Sequence, residues 1–216
     1  MSAVFSILTF VWMPLAEPAT ASAGPDTAGL GAFLAMVNRP VALRVPGMER
    51  VRVTQNLSYR RVPGVDLSAD VYLPASSSHG TAPHPIAILL HGGVGPGLKP
   101  RPKDWGNYRS WGRLLAASGV VTVTFNQRLG FPKPEIENAM ADVESLTAFV
   151  RRNAQRWGAD PDRIAMVSFS AGGMLLGPPI RRRPPWLRCI VAIYPIIDLR
   201  VSTHLRQHLT AAQLEE

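Results

Sequence analysis

Short apolar runs separated by stretches of helical periodicity set the pattern of this chain. Ile86-Ala87-Ile88-Leu89-Leu90, Val120-Val121-Thr122-Val123-Thr124-Phe125, Ile164-Ala165-Met166-Val167 and residues 189–194 are apolar or nearly so. Such runs mark strands covered on both faces. Residues 51–61 and 66–73 alternate instead, and Pro63-Gly64 between them supplies turn chemistry, which predicts an antiparallel hairpin. Helical spacing recurs in two places. Trp111, Leu114, Leu115 and Ala116 predict a helix within residues 105–118, stopped by Gly119. Ile136, Ala139, Met140, Val143, Leu146, Phe149 and Val150 predict a long amphipathic helix within residues 135–157, ended by Gly158 and Pro161. Strand and helix alternate after the hairpin, so the expected fold is α/β, a mainly parallel doubly wound sheet with helices on both faces. Residues 24–50 read as a linker and N-terminal extension, and residues 75–85, rich in Ser, Gly and Pro, as a loop.

Composition narrows this picture without redirecting it. A chain of 216 residues, 46% hydrophobic and 18% charged, is long enough for one core, placed in residues 51–216. The net charge of +8 is carried by Arg, with a cluster at Arg181-Arg182-Arg183 flanked by proline pairs. That cluster is read as a solvated loop; no nucleic-acid motif accompanies it. Cys189 stands alone, so it forms no intrachain disulfide, and its apolar neighbours predict a small buried residue. The apolar residues 3–13, followed by Ala21-Ser22-Ala23, resemble a signal-peptide core and cleavage site over residues 1–23, too short for a stable membrane span. The expectation is a secreted or periplasmic protein. The first basic residue, Arg39, comes late, so a cytoplasmic location is the alternative.

The chemistry concentrates around Ser170. The apolar run 164–167 feeds into Ser168-Phe169-Ser170-Ala171-Gly172-Gly173 and then Met174-Leu175-Leu176. A small-x-Ser-x-Gly turn from a strand into a helix is the layout of a nucleophile elbow, which lifts a serine hydroxyl above the carboxyl edge of a sheet. The Ala171 N–H then opens a helix, where negative charge is favoured. Gly172 and Gly173 permit a close turn. A second motif, His91-Gly92-Gly93, ends the run 86–90, at the position from which an acyl-transfer site draws its other oxyanion donor.

On these motifs, together with Asp160-Pro161-Asp162-Arg163-Ile164-Ala165 and Tyr194-Pro195-Ile196-Ile197-Asp198-Leu199-Arg200, the chain resembles an α/β-hydrolase of the esterase/lipase group that includes hormone-sensitive-lipase-like and feruloyl-esterase-like enzymes. The resemblance covers about residues 51–200. It implies Ser170 as nucleophile, the N–H groups of Gly93, Val94 and Ala171 as oxyanion hole, and His91 as a structural residue. It implies a small-molecule ester as substrate and no cofactor or metal. Ser168 stands where Gly is commonest, and Val94 where a third Gly is frequent.

The family order places an acid and then a histidine after the serine. Asp198, His204 and His208 are the candidates in this stretch, although the segment holding Asp198 does not carry the family's acid. His204 and His208 lie four apart, a spacing metals also use. A solvated helix face is the plainer reading of that pair. Residues 196–216 leave room for one further crossover where the pattern needs two. The expectation is therefore a carboxylesterase-type serine hydrolase lacking its C-terminal part and inactive as this chain. A non-catalytic scaffold, self-associating through an uncovered sheet edge, is one alternative. A serine peptidase of the same fold is another, and a short enzyme using His204 as base is a third. Trp105, Tyr108 and Trp111 are read as helix packing rather than as an acyl pocket.

Overall fold

The computed structural model describes residues 27–75, 82–95, 97–130 and 134–197. A six-stranded sheet has the order β1-β2-β4-β3-β5-β6. Its strands are β1 (Arg52–Ser58), β2 (Ser68–Leu73), β3 (His84–Leu90), β4 (Val121–Phe125), β5 (Ala159–Phe169) and β6 (Leu187–Ile193). β1, β2 and β4 pair antiparallel, and β4, β3, β5 and β6 run parallel. The hairpin turns where expected: Val62 and Val65 bridge across Pro63-Gly64, with Gly64 at φ +72°. That backbone conformation costs glycine little and other residues more.

Helices α2 (Gly106–Ala117) and α3 (Ile136–Asn153) are the crossovers into β4 and β5. α3 covers one face, where Ala139, Val143, Leu146 and Val150 join Ile86, Ile88, Leu90 and Met166 in one buried cluster. α2 covers the other so closely that a Cβ on Gly112 would lie 2.7 Å from the Tyr72 ring. Side chains alternate between faces along each strand, so the apolar runs 86–90 and 121–125 are buried from end to end.

Four features depart from the sequence reading. Helix α1 (Thr27–Val37) begins inside the expected linker. Up to Met36 it belongs to a unit separate from that of residues 37–216. β5 begins at Ala159, which pairs with His84. The register then breaks, so that Ile164 pairs with Ile86; residues 160–163 form a bulge opposite one residue of β3. The crossover from β5 to β6 contains only a 3₁₀ turn (Ser170–Leu176) and the six-residue α4 (Gly177–Arg182). Finally, Cys189 is exposed, against the expectation of burial. Among the described residues β6 ends the strand order, and each of its positions is half-buried or exposed, none buried. The Arg cluster is solvated as expected: Arg181 and Arg182 end α4, Arg183 caps it at φ +42°, and all three are exposed.

Two buried charge networks brace the sheet edge. The Asp142 carboxylate, fully buried on α3, accepts from Arg128 Nε and Nη2 at 2.8 Å each and from Arg60 Nη1 at 3.0 Å. Lys103, 2% exposed, donates to Asp70, Asp104 and Asn56 at 3.1, 2.9 and 2.7 Å. Charges this deep are tolerated only when paired.

Candidate active site

β5 delivers Phe169 in extended geometry (φ −124°, ψ 135°), and the next residue, Ser170, turns to φ +51°. A non-glycine residue in the left-handed region costs on the order of 1–3 kcal/mol and persists only where its surroundings hold it. Here the holding contacts are backbone to backbone. The Ile196 N–H donates to the Ser170 carbonyl at 2.9 Å. A Cβ on Gly172 would lie 2.7 Å from the Leu90 carbonyl oxygen and 2.8 Å from that of His91; one on Gly173 would lie 2.7 Å from the Ile196 carbonyl oxygen. The two glycines therefore let the turn sit directly on the carboxyl ends of β3 and β6.

The second motif meets the first across the end of β3. An added Cβ on Gly92 would lie 3.3 Å from Ser170 Cβ, 3.4 Å from the Ala171 nitrogen and 3.5 Å from Ser170 Oγ. The His-Gly-Gly loop thus passes beside the serine hydroxyl and the Ala171 N–H. Neither the Gly93 nor the Ala171 N–H has a backbone acceptor among the described residues. Val94 differs: its N–H donates to the Leu129 carbonyl at 3.2 Å, in a parallel bridge between Val94 and Gly130. In this conformation the Val94 amide is occupied, and the expected three donors reduce to Gly93 and Ala171. The residue that replaces a third glycine is spent on fastening the loop.

His91 is 1% exposed. Its Nε2 accepts from the Gln127 N–H at 3.2 Å, which fixes the proton on Nδ1, and Nδ1 donates to the Gly92 carbonyl at 2.6 Å. Gln127 Nε2 closes the ring by donating to the His91 carbonyl at 2.7 Å. Burial lowers the His91 pKa to about 4, so the ring is neutral at pH 7. Both nitrogens are committed to holding the loop, and neither serves Ser170. The other described histidine, His84, bonds the Gly119 carbonyl at 3.0 Å. It lies at the opposite end of β3, about 20 Å away at 3.3 Å per residue.

Tyr108 escaped the sequence reading as a site residue. It is buried, its phenol is hydrogen-bonded to the Gly92 backbone, and desolvation pushes its pKa far up, so it stays protonated. Its ring meets Phe169 edge-on at 5.2 Å, and Trp105, Trp111 and Tyr194 extend the stack. The aromatic residues after the oxyanion loop are packing, as expected, and Tyr108 also ties helix α2 to that loop. Gln127 is a second site residue without a motif of its own; its one signal is the polar Asn126-Gln127-Arg128 at a strand's carboxyl end.

Asp198, His204 and His208 lie outside the described residues, as does the region expected to be a signal peptide. Among the described residues no carboxylate or imidazole hydrogen-bonds the Ser170 hydroxyl, and no helix is long and apolar enough to cross a membrane. The arrangement presents a half-buried Ser170 at the start of a helical turn, beside the His-Gly-Gly loop and the Ala171 nitrogen.

The BD-FAE family model matches residues 69–176, from the second strand to the end of the elbow turn. The non-reducing polyketide synthase stbA of Stachybotrys bisbyi is 27% identical over 131 residues, 56% of this chain and 6% of that protein. The para-nitrobenzyl esterase of Bacillus subtilis is 31% identical over 136 residues, 55% of this chain and 26% of that one. Among solved structures, brefeldin A esterase, described as a bacterial homologue of human hormone-sensitive lipase, superposes with a TM-score of 0.51 at 22% identity, covering 72% of this chain and 43% of its own. The chain thus spans a small part of its curated relatives and less than half of that solved esterase. Since the family match covers half of the 216 residues and takes in both motifs and the sheet between them, the chain belongs to the BD-FAE family, in the esterase/lipase group of the α/β-hydrolases.

Proposed function

We propose that this chain carries the nucleophile and oxyanion half of a carboxylesterase-type serine hydrolase. One observation supports the reading above others: Ser170 is held at φ +51° with its hydroxyl beside Gly92, and the Ala171 amide has no backbone acceptor among the described residues. Strain of this kind is maintained by close backbone packing, and a serine hydroxyl raised at the start of a helical turn is what acyl transfer uses.

In the proposed reaction Ser170 Oγ adds to the carbonyl carbon of a small carboxylic ester. The oxyanion accepts from the Gly93 and Ala171 N–H groups, the alkoxide leaves with a proton, and water releases the acid from the Ser170 acyl intermediate. His91 and Tyr108 hold the loop and transfer no proton. The base that activates Ser170 is assigned to residues outside those described, Asp198, His204 and His208 being the candidates that the sequence offers. Hydrolysis of p-nitrophenyl butyrate, compared between the chain, Ser170→Ala and His204→Ala, tests this. Turnover abolished by Ser170→Ala supports the nucleophile, and turnover unchanged by it rejects the reading. Loss in His204→Ala with retained fold would identify the base.

A scaffold role is favoured by a different observation: among the described residues β6 ends the strand order, with Val191 41% exposed and Cys189 on the surface. Light scattering on the purified chain tests it: a concentration-dependent rise in mass supports self-association, and a monomer at all concentrations removes it.

A further inference from the structure

Among the described residues, the non-glycine residues with a positive φ are Asn56, Ser170, Arg183 and Tyr194. Asn56 sits at the register irregularity of β1 and is a residue type that enters the left-handed region readily. Arg183 caps the end of α4, and Ser170 is the elbow. Tyr194, at φ +39°, is neither a helix cap nor a bulge. A bulky side chain disfavours this conformation, and the proline that follows pushes its predecessor toward extended geometry. Burial of the ring does not pin the residue, since Tyr194 is 69% exposed and meets Phe169 at 6.3 Å between ring centroids.

Its place in the sheet supplies the reason. β5 and β6 pair in parallel up to Phe169 and Ile193. Ser170 and Tyr194 are therefore the first residues past the ladder on neighbouring strands, and both turn left-handed there. Pro195 has no N–H, and the next donor, the Ile196 N–H, bonds the Ser170 carbonyl at 2.9 Å. The same two residues form the wall against which the elbow lies: a Cβ on Gly173 would be 2.7 Å from the Pro195 side chain and from the Ile196 carbonyl oxygen. An extended residue at 194 would instead carry the chain on along β6 at about 3.3 Å per residue, past the elbow. The bonded carbonyl shares a peptide unit with the Ala171 N–H. In a trans peptide these two groups lie in one plane and point in opposite directions, so a donor on the Ser170 carbonyl fixes where the Ala171 N–H aims.

We propose that Tyr194 is a positioning residue for the oxyanion donor. Its left-handed turn brings the Ile196 N–H onto the Ser170 carbonyl, and that bond holds the Ala171 N–H in the direction an oxyanion needs. The inference rests on the reading of Ser170 as nucleophile and adds to it that the amide beside the serine is aimed from the segment after β6.

Tyr194→Asn and Tyr194→Val separate the backbone from the ring. Both remove the ring, but Asn accepts a left-handed φ and a β-branched residue resists it. Amide proton exchange and amide NMR shifts of the full chain are the readout. In Tyr194→Val the Ile196 amide is expected to exchange about tenfold faster or more through local opening, and the Ala171 amide resonance to move. Ile88 and Val123, at the sheet centre, exchange as in the wild type. In Tyr194→Asn the Ile196 rate stays within about threefold and Ala171 keeps its resonance. Ile196→Pro, which deletes the donor and leaves Tyr194 in place, moves Ala171 as Tyr194→Val does, and it reads the same bond if Tyr194→Val does not fold. Fluorophosphonate labelling of Ser170 slows about tenfold in Tyr194→Val and less than threefold in Tyr194→Asn. Unchanged Ile196 exchange in Tyr194→Val overturns the proposal. A tenfold gain in Tyr194→Asn would place the restraint in the ring and overturn it too, as would loss of Ile196 protection with an unmoved Ala171 resonance. A chain that is never labelled rejects the nucleophile reading alone; the amide measurements still decide what Tyr194 does.

Discussion

β3 and β6 each carry a short apolar run, residues 86–90 and 189–193, and meet opposite fates. Ile86, Ile88, Leu89 and Leu90 are at most 1% exposed, whereas Val191 of β6 is 41% exposed and Cys189 is on the surface. The difference lies in what the chain does between strands. The crossover into β5 contains the eighteen-residue α3, and the one out of β5 only the six-residue α4. An apolar run predicts a strand; the length of the neighbouring crossovers decides whether anything covers it. The same contrast organises the site. The turn after Ser170 rests on β3 through Gly172 against the Leu90 and His91 carbonyls, and on the segment after β6 through the Ile196 N–H to the Ser170 carbonyl and Gly173 against Pro195 and Ile196.

The contrast is broken most severely by adding volume at the centre. Gly172→Val would drive side-chain atoms into the Leu90 and His91 carbonyl oxygens, and overpacking against backbone with no route of relief costs about 3 kcal/mol or more. We expect little folded protein, read as loss of the cooperative thermal transition. Asp142→Ala would leave Arg128 and Arg60 without their shared carboxylate and destabilise by about 3–5 kcal/mol, measured by urea unfolding.

His91 sharpens the contrast through pH. Its pKa is near 4 in the folded chain and 6.5 when exposed, so between these values the unfolded chain binds more protons. Stability is therefore complete above pH 6.5 and is lost as pH falls toward 4, by about 3 kcal/mol from this group. His91→Asn should flatten that part of the stability profile while lowering stability at pH 7. A profile unchanged by the substitution would place the ring in solvent. A smaller effect is expected at Gly92. A methyl there lies 3.3 Å from Ser170 Cβ, so Gly92→Ala should slow any reaction at Ser170 severalfold and shift Tm by only a few degrees. The smallest effect belongs to the open strand, where Val191→Thr should change stability by less than about 1 kcal/mol in urea unfolding. If Val191→Thr cost as much as a core substitution, β6 would have to be covered in solution and the comparison would fail.

The hairpin, the buried strands at 86–90 and 120–125, α2, α3 and the elbow are all legible in the sequence. They follow from periodicity, Pro-Gly turn chemistry and the Ser-Phe-Ser-Ala-Gly-Gly motif, which are local signals. What the sequence hides depends on contacts between distant positions. The Val94 amide is occupied because Leu129 comes alongside it, and Tyr108 becomes a support only where α2 crosses the loop. Lys103 reads as a surface residue until Asp70, thirty-three positions earlier, is folded against it. Cys189 reads as buried because the residues after it look like core; only the shortness of α4 indicates otherwise.

The central claim, that the elbow at Ser170 is built as a nucleophile, is tested most directly by intact-mass and peptide analysis after treating the folded chain with a fluorophosphonate. The account predicts one adduct, on the peptide containing Ser170, absent in Ser170→Ala and after unfolding in urea. An unmodified chain, or an equal adduct in Ser170→Ala, would contradict it.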